Sequence, residues 1–367
     1  MCYKSERLTL TGKRKPLLGS TSSSQTFNQI CSWLDICANG HKNCRCYQNT
    51  GFLPTRLIDL KALKDENLVR LIETKDMPRN DRNYITLSHD QHDKVTDFGR
   101  TTQASLKSNL TSISVKSLPL TFAHSIQVAR ELNVRFLWIA TLCIIQDSEE
   151  DLERERGSIK DIYLNSYCTI AAAAASQTEK GIFRSIPTEN LSVEFECTSS
   201  EGEKKRIQAF RKQRDWMLQY KNAPLSNSVR PLLERELSPR VLYFTEVEVL
   251  WECRTFKAME SWPGDNMPSD GLEPRILDSL ADLGDGSVFD LWHKAVTQLT
   301  ARTFEEEMNV WEAMAFLARL MRNKIEGQYI AGMWQKDLRR RYVLHVYETL
   351  PVFFIKKDTD LESLFIA

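Results

Sequence analysis

The segment from Val134 to Ser176 constrains the fold more than any other part of this sequence. It begins with the apolar run VRFLWIA (Val134–Ala140), continues through a charged stretch, and ends in the alanine-rich YCTIAAAAAS. A continuous apolar run is typical of a strand that is buried on both faces of a parallel sheet. The segment therefore predicts a strand, a helix and a second strand at the centre of an α/β domain.

The charged middle of this segment carries its own signal for the start of a helix. Ser148 stands three positions before Asp151, as in a capping arrangement, and acidic residues fill the first turn. Leu152 and Ile162 then belong to an apolar stripe at helical spacing. The run Glu149–Arg156 alternates in charge, which predicts a helix face that points into water.

Similar units lie on both sides of this segment. YITLS (Tyr84–Ser88) alternates like a strand, and LPLTFAHSIQVARELN after it has a helical stripe with Pro near its start and Asn at its end. Further on, LLEREL (Leu232–Leu237) is helical, and RVLYF (Arg240–Phe244) and EVLWEC (Glu248–Cys253) are strands. Strands that alternate with helices predict a mostly parallel sheet with helices on both faces.

The changes in pattern along the chain predict five segments. These are a flexible N-terminal arm (1–26), an N-terminal helix/strand extension (27–77), the α/β domain (78–255), a linker or long loop rich in Gly, Pro and Asp (256–285), and a mainly helical C-terminal region (286–367).

Composition excludes several classes of function. The 367 residues contain 49 Lys plus Arg and 49 Asp plus Glu, so the balanced charge gives no electrostatic footprint for nucleic acid. We expect no membrane span, because the sequence has no apolar run of the required length. The nine cysteines are an odd number. Since the N-terminal stretch has no apolar signal region, we interpret them as reduced thiols of a cytoplasmic protein.

Candidate ligand-binding residues follow two of the predicted strands. Ser88, His89 and Asp90 come at the end of the first strand, and Gln146 and Asp147 come at a strand-to-helix turn. In open α/β sheets, ligands bind at the carboxyl ends of the strands. The alternatives are a polar surface loop for the first group and a helix cap for Asp147.

A cysteine- and histidine-rich stretch offers four soft metal ligands, namely Cys37, His41, Cys44 and Cys46. Zinc prefers such ligands, but the spacing lacks the two separated pairs of an ordinary zinc motif. We therefore favour a packed helix end without metal, and treat the four residues as weak zinc candidates. Cys143 is interpreted as a small core residue.

Several blocks of sequence occur in an order that resembles the fungal heterokaryon incompatibility domain proteins. The blocks are CSWLDICANGHKNC, LPTRLIDL, YITLS, LPLTFAHSIQVARELNVRFLWIATLCIIQD, DIYLNSYCTIAAAAAS with the GIF after it, and ERELSPRVLYF with the VLWEC after it. The resemblance covers residues 30–260 and extends weakly into the C-terminal helices, where YIAGMW also fits.

The resemblance implies a role in fungal non-self recognition, in which fusion of incompatible hyphae triggers programmed cell death. It also implies a distant relationship to Toll/interleukin-receptor (TIR) domains and hence a flavodoxin-like sheet. Some TIR domains assemble as scaffolds, and others cleave NAD with a glutamate in the third helix. In this chain the corresponding residue is Glu234.

Three motifs depart from the family pattern. Ser88-His89-Asp90-Gln91-His92 stands where family members read Ser-Tyr-Cys-Trp-Gly, and Ala140 stands where they carry Asp after Trp-Ile. The third-helix motif Arg-x-Trp-x-x-Gln-Glu-Arg retains only Glu234 and Arg235, and Arg230 occupies the Trp position. The chain is thus interpreted as a degenerate member of the family.

Two classes of function follow from these features. The first is a signalling module that acts by self-association or by binding a protein partner, and we favour it because the polar motif positions are altered. The alternative is an NAD-cleaving enzyme that uses Glu234, with NAD as its substrate and no cofactor expected. A degenerate accessory protein without a role in cell death is a quieter variant of the first class.

Overall fold

The computed structural model describes most of the chain, with interruptions. The described residues are 17–44, 51–77, 82–89, 99–175, 178–185, 192–198, 204–210, 215–264, 267, 275–280, 287–303, 310–325, 327–330 and 332–337. Two of the candidates from the sequence, Cys46 and Asp90, lie outside these residues.

A nine-stranded sheet forms the centre of the molecule. Its strands are β1 (Arg56–Asp59), β2 (Leu68–Glu73), β3 (Tyr84–Ser88), β4 (Ile113–Ser114), β5 (Phe136–Trp138), β6 (Cys168–Ala171), β9 (Arg240–Phe244), β10 (Val249–Cys253) and β11 (Lys257–Met259). They follow the spatial order β11-β10-β9-β6-β3-β5-β1-β2-β4. The numbers β7 and β8 belong to a separate hairpin, Ser192–Thr198 and Lys204–Phe210.

Four adjacent strands in the middle of this sheet run parallel. β3 pairs with β5 and with β6, and β6 pairs with β9. Antiparallel strands extend the sheet on both sides, beginning with β1 next to β5 and β10 next to β9. All residues of β3, β6 and β9 are buried, which is typical of strands that are covered on both faces of a parallel sheet. The predicted α/β class is confirmed, and parallel pairing is confined to the four central strands.

Helices cover both faces of the sheet. They are α1 (Ser24–Gly40), α2 (Gln103–Thr111), α3 (Leu120–Glu131), α4 (Ala140–Cys143), α5 (Glu149–Leu164), α6 (Trp216–Lys221), α7 (Val229–Leu237), α8 (Ile276–Ser279), α9 (Ser287–Thr300) and α10 (Val310–Met321). On one face, Trp33 of α1 stacks on Trp251 with ring centroids 6.1 Å apart. On the other face, Trp216 of α6 meets Tyr243 edge-on. Since successive strand residues point to opposite faces, each layer buries its own core.

The predicted boundaries of two helices are confirmed in their physical detail. Asn133, just after α3, has a φ of 55°, the left-handed conformation that Asn tolerates better than most residues. Ser148 precedes α5, and its side chain accepts a hydrogen bond from the backbone N–H of Asp151. These residues stop and start the two helices, which flank β5.

The described part of the C-terminal region, up to residue 337, is mainly helical, as predicted, and has its own apolar core. Trp292 of α9 and Leu317 of α10 are buried there, together with Leu232 and Leu233 of α7. The ring of Trp292 meets that of Trp334 edge-on at 5.8 Å. The last residue of α7, Leu237, belongs to the core of the sheet. Helix α7 therefore connects the C-terminal core with the core of the sheet.

The prediction that the charged run of α5 faces water is wrong for two of its acids. Asp151 and Glu155 are buried, with 3% and 1% of their surface exposed. Arg56 of β1 is buried beside them and forms an ion pair with Asp151, which also accepts the backbone N–H of Ile145 at 2.7 Å. A buried guanidinium requires a counter-charge, and this requirement overrides the polar pattern of the helix.

The polar stretch between residues 188 and 214 contains the hairpin of β7 and β8, which the sequence pattern did not predict. Its strands pair only with each other, antiparallel, from Ser192 opposite Phe210 to Thr198 opposite Lys204. Among the described residues, no helix combines the length and the apolar character that crossing a membrane requires.

Candidate functional site

Ser88 and His89 lie where the sequence placed them, at the carboxyl end of the central strand β3. Both are buried, and the His89 ring meets Phe122 edge-on with centroids 5.1 Å apart. Burial, assisted by the nearby charge of Arg230, lowers the pKa of His89 to about 3. Neither ring nitrogen has a hydrogen-bond partner among the described residues. His89 is therefore a neutral imidazole at physiological pH.

Gln146 and Asp147 are engaged in local structure. The Gln146 side-chain amide donates to the carbonyl oxygen of Ile144 at 2.9 Å. The Asp147 carboxylate accepts the backbone N–H of Gln103 at 2.8 Å, at the first turn of α2. Asp147 is thus a helix cap, the alternative raised from the sequence, although the helix it caps is α2 and not the α5 that follows it.

A small cleft lies between the end of β3 and α7. It has room for about one water molecule. Ser88, Tyr220, Arg235 and Tyr243 are among the side chains that line it. The structure thus brings together two regions that the sequence singled out separately, the β3 edge and the helix that carries Glu234.

Glu234 itself is buried in α7, with 5% of its surface exposed. Successive residues of an α-helix lie about 100° apart around its axis, so Glu234 and the cleft-lining Arg235 point in different directions. The hydroxyl of Ser238 donates to the backbone carbonyl of Glu234 at 2.7 Å. The predicted catalytic role of Glu234 stays a prediction.

Arg235 takes part in a buried network of charges centred on Glu252. Its guanidinium donates two hydrogen bonds to the Glu252 carboxylate, at 2.8 and 2.7 Å. Lys257 and Arg275 approach the same carboxylate at 3.3 and 3.5 Å, and the Tyr243 hydroxyl donates to it at 2.7 Å. Burial opposes ionisation of Glu252, but the three cations hold its pKa well below the usual range. The network joins α7, β9, β10 and α8.

A second cluster gathers Cys37, His41, Cys44 and Cys253. One ligand atom from each side chain lies within 4.8 Å of all the others. Cys37 is in the last turn of α1, His41 follows the helix, and Cys44 is in the next short turn. Cys253 ends β10, and its sulfur is 3.6 Å from Nδ1 of His41. These residues could hold a metal ion.

The three sulfurs of this cluster influence one another strongly. Burial raises the pKa of Cys253, whereas hydrogen bonds from Cys253 and Cys37 lower the pKa of Cys44 far below that of an ordinary thiol. Each sulfur also has a neighbouring donor. Arg240 donates to Cys37 at 3.1 Å, Thr255 lies 3.6 Å from Cys44, and the backbone N–H groups of 255 and 256 donate to Cys253. The balance favours the thiolate of Cys44, whereas the pKa values of Cys37 and Cys253 are raised.

Sequence reasoning missed Cys253 and the Glu252 network. Cys253 is far from the other three ligands along the chain, and only the pairing of β10 with β9 and the packing of α1 on β10 bring it near them. Glu252 is a charged residue within the apolar strand sequence VLWEC. A charged side chain in such a strand is rarely buried unless it is paired, so its position was the local signal for a buried ion-pair network.

Part of the chain matches a known protein family. Residues 84–230 match the family model described as "Heterokaryon incompatibility protein (HET)". No match was found among curated proteins or among solved structures. The matched range runs from the first residue of β3 into the first turn of α7, and so contains Ser88 and His89.

Proposed function

We propose that this protein, whose residues 84–230 match the heterokaryon incompatibility family model, acts in fungal non-self recognition. It works as a signalling module linked to programmed cell death, in the cytoplasm. The family match carries this proposal. The order of sequence blocks from CSWLDICANGHKNC to VLWEC, on both sides of the matched range, supports it further.

The module acts by self-association or by binding a protein partner. Two features favour this mode over catalysis. The cleft beside β3 holds about one water molecule, far less than a dinucleotide needs. In addition, Arg235 at the cleft is held by Glu252, and Asp147 at the strand edge caps a helix. These polar groups are already engaged in contacts within the protein.

One surface offers a contact for a second protein. Trp311 at the start of α10 has 60% of its surface exposed, and Met333 has 45% exposed. Gly332, the residue before Met333, lies close to Trp311, since a Cβ atom built on it would be 3.5 Å from the Trp311 ring. Large aromatic side chains dominate the binding energy of many protein interfaces, so Trp311 is the residue whose replacement most directly tests association.

The test combines light scattering with growth. We expect the purified full chain to form oligomers, or a stable complex with a fungal protein, and its induced expression in a fungal host to arrest growth. Trp311→Glu should weaken both effects, whereas Leu218→Glu, the same change at an exposed leucine of α6, should leave them intact. A chain that stays monomeric, captures no protein and leaves growth unchanged would contradict the proposal.

Cleavage of NAD at the nicotinamide bond is the second candidate, because the retained Glu234 and Arg235 lie on the helix that borders the Ser88 edge. A carboxylate could stabilise the positive charge that develops on the ribose. We expect no turnover in an assay of NAD consumption. Activity in the wild type that is lost in the near-isosteric Glu234→Gln would establish the enzyme instead of the binding module.

A further inference from the structure

The Cys37–His41–Cys44–Cys253 cluster has a composition and geometry that the incompatibility function does not account for. Three cysteines and one histidine converge from two distant parts of the chain, and their ligand atoms lie within 4.8 Å of one another. From this arrangement we propose that the four residues bind one structural Zn²⁺ ion. The inference is independent of the proposed function.

The distances fit a tetrahedral ion. Zinc binds cysteine sulfur at about 2.3 Å and histidine nitrogen at about 2.0–2.1 Å, so the sulfur–nitrogen edge of its tetrahedron is about 3.6 Å and the sulfur–sulfur edge about 3.8 Å. The sulfur of Cys253 lies 3.6 Å from Nδ1 of His41. The other separations in the cluster stay within 4.8 Å, so the ligand atoms need to approach one another by at most about 1 Å to close the site.

The surroundings suit an ion held by three thiolates. Zn²⁺ with three thiolates and a neutral imidazole carries one net negative charge. Arg240 is fully buried and donates to the sulfur of Cys37 at 3.1 Å, so its positive charge balances the site. Two backbone N–H groups, from Thr255 and Phe256, donate to the sulfur of Cys253 at 3.4 Å each. Donors of this kind orient the ligands and stabilise their charge in metal sites.

The ligand set defines both the metal and its role. Four protein ligands rich in sulfur fill a tetrahedron and leave no position for water or substrate, which is the arrangement of structural zinc. The ion would tie the end of α1 to the end of β10. These two elements already pack together through Trp33 and Trp251. Zinc therefore fixes α1 on the sheet and adds to the stability of the fold.

A disulfide between two of the thiols is the competing use of the same cluster. Zinc is favoured because a disulfide engages only two sulfurs and gives no role to His41, whose Nδ1 faces Cys253. The buried cation of Arg240 beside Cys37 also stabilises a thiolate and would be left without a counter-charge by a neutral disulfide.

The experiment measures metal in the full chain, purified under reducing conditions from zinc-supplemented cells. We expect about one equivalent of zinc per chain, and a drop below about 0.1 equivalent in Cys253→Ser. Cys31→Ser, a change in the same helix outside the cluster, should retain the metal. Cys46→Ser should also retain it, which separates this ligand set from the one suggested by sequence spacing. His41→Cys keeps four ligands and should retain the ion as well.

Cobalt substitution in the wild type makes the test independent of whether a variant folds. Co²⁺ in this site should give the intense visible absorption of a tetrahedral, thiolate-bound ion. The proposal is overturned by a wild-type chain that carries no metal, by an octahedral cobalt spectrum, by zinc that persists in Cys253→Ser, or by zinc that is lost in Cys31→Ser. A disulfide within the cluster of the wild type, found by mass spectrometry, would overturn it too.

Discussion

Glu252 shows how a single buried residue can determine which charges a fold tolerates. It is fully buried in β10, and Arg235, Arg275 and Lys257 all lie within ion-pair distance of its carboxylate. The carboxylate offsets the cost of burying these cations, since an isolated charge in the interior is very costly, and Arg235 has a second acidic partner in Glu236 at 3.3 Å. The network therefore stabilises a specific arrangement of α7 and α8 on the sheet.

Glu252→Gln should lower the free energy of unfolding by about 3–5 kcal/mol, because it removes the carboxylate that Arg235, Lys257 and Arg275 share. The matched control is Glu246→Gln. Glu246 pairs with Arg184 but has 62% of its side chain exposed, so its loss should cost less than about 1 kcal/mol. Urea denaturation at neutral pH measures both. Equal effects of the two substitutions would show that the buried network contributes nothing specific.

The same network makes stability depend on pH. The pKa of Glu252 is lowered in the folded state: burial opposes this, but the charges of Arg235, Lys257 and Arg275 outweigh it. A lowered carboxyl pKa stabilises the fold fully above the unfolded value of about 4.3, and this stabilisation is lost as the pH falls below it. The difference in the free energy of unfolding between wild type and Glu252→Gln should therefore shrink as the pH falls below about 4.

At the scale of elements, α2 depends on a cap supplied from elsewhere in the chain. The side chain of Thr102 caps the helix locally, and the Asp147 carboxylate binds the N–H of Gln103 from the turn before α5. The first N–H groups of a helix lack partners within it, and a carboxylate also interacts favourably with the helix dipole. Asp147 thereby links α2 to the β5–α5 connection.

Asp147→Ala should therefore destabilise the protein by about 1 kcal/mol. Asp147→Asn keeps an acceptor for the N–H of Gln103 and should cost less. Thermal or urea unfolding of the two variants measures the difference. If Asp147 instead serves a ligand, alanine would leave stability unchanged and would alter only activity.

The elements that could be predicted are those whose signal is local. The apolar runs of β3, β5 and β6, the cap at Ser148 and the stop at Asn133 are all properties of short segments. Partners that depend on pairing could not be predicted in this way. Cys253 reaches the histidine and the two described cysteines only because the sheet brings β10 next to α1. Asp151 of α5 faces the interior because it pairs with Arg56, which lies in the distant strand β1.

At the scale of the whole molecule, the family match and the folding unit differ in extent. The matched residues 84–230 contain β3, β4, β5 and β6 of the nine-stranded sheet. The remaining strands, β1, β2, β9, β10 and β11, lie outside the match. Of these, β1, β2 and β9 pair directly with strands inside it, and β10 and β11 continue the sheet beyond β9. Helix α1, which covers one face of the sheet, also lies outside it.

A fragment of residues 84–230 should therefore be unfolded or aggregate when expressed alone. It lacks β9, so β6 would become an exposed edge in which every residue belongs to the interior, and it lacks β1, which pairs with β5 at the other side. Exposed apolar edge strands are prone to association. A fragment of residues 17–337 retains all nine strands and α1, and it should unfold cooperatively like the full chain. Circular dichroism and urea unfolding distinguish the two. A soluble 84–230 fragment with cooperative unfolding would show that the matched segment is a domain by itself and that it folds without the flanking strands.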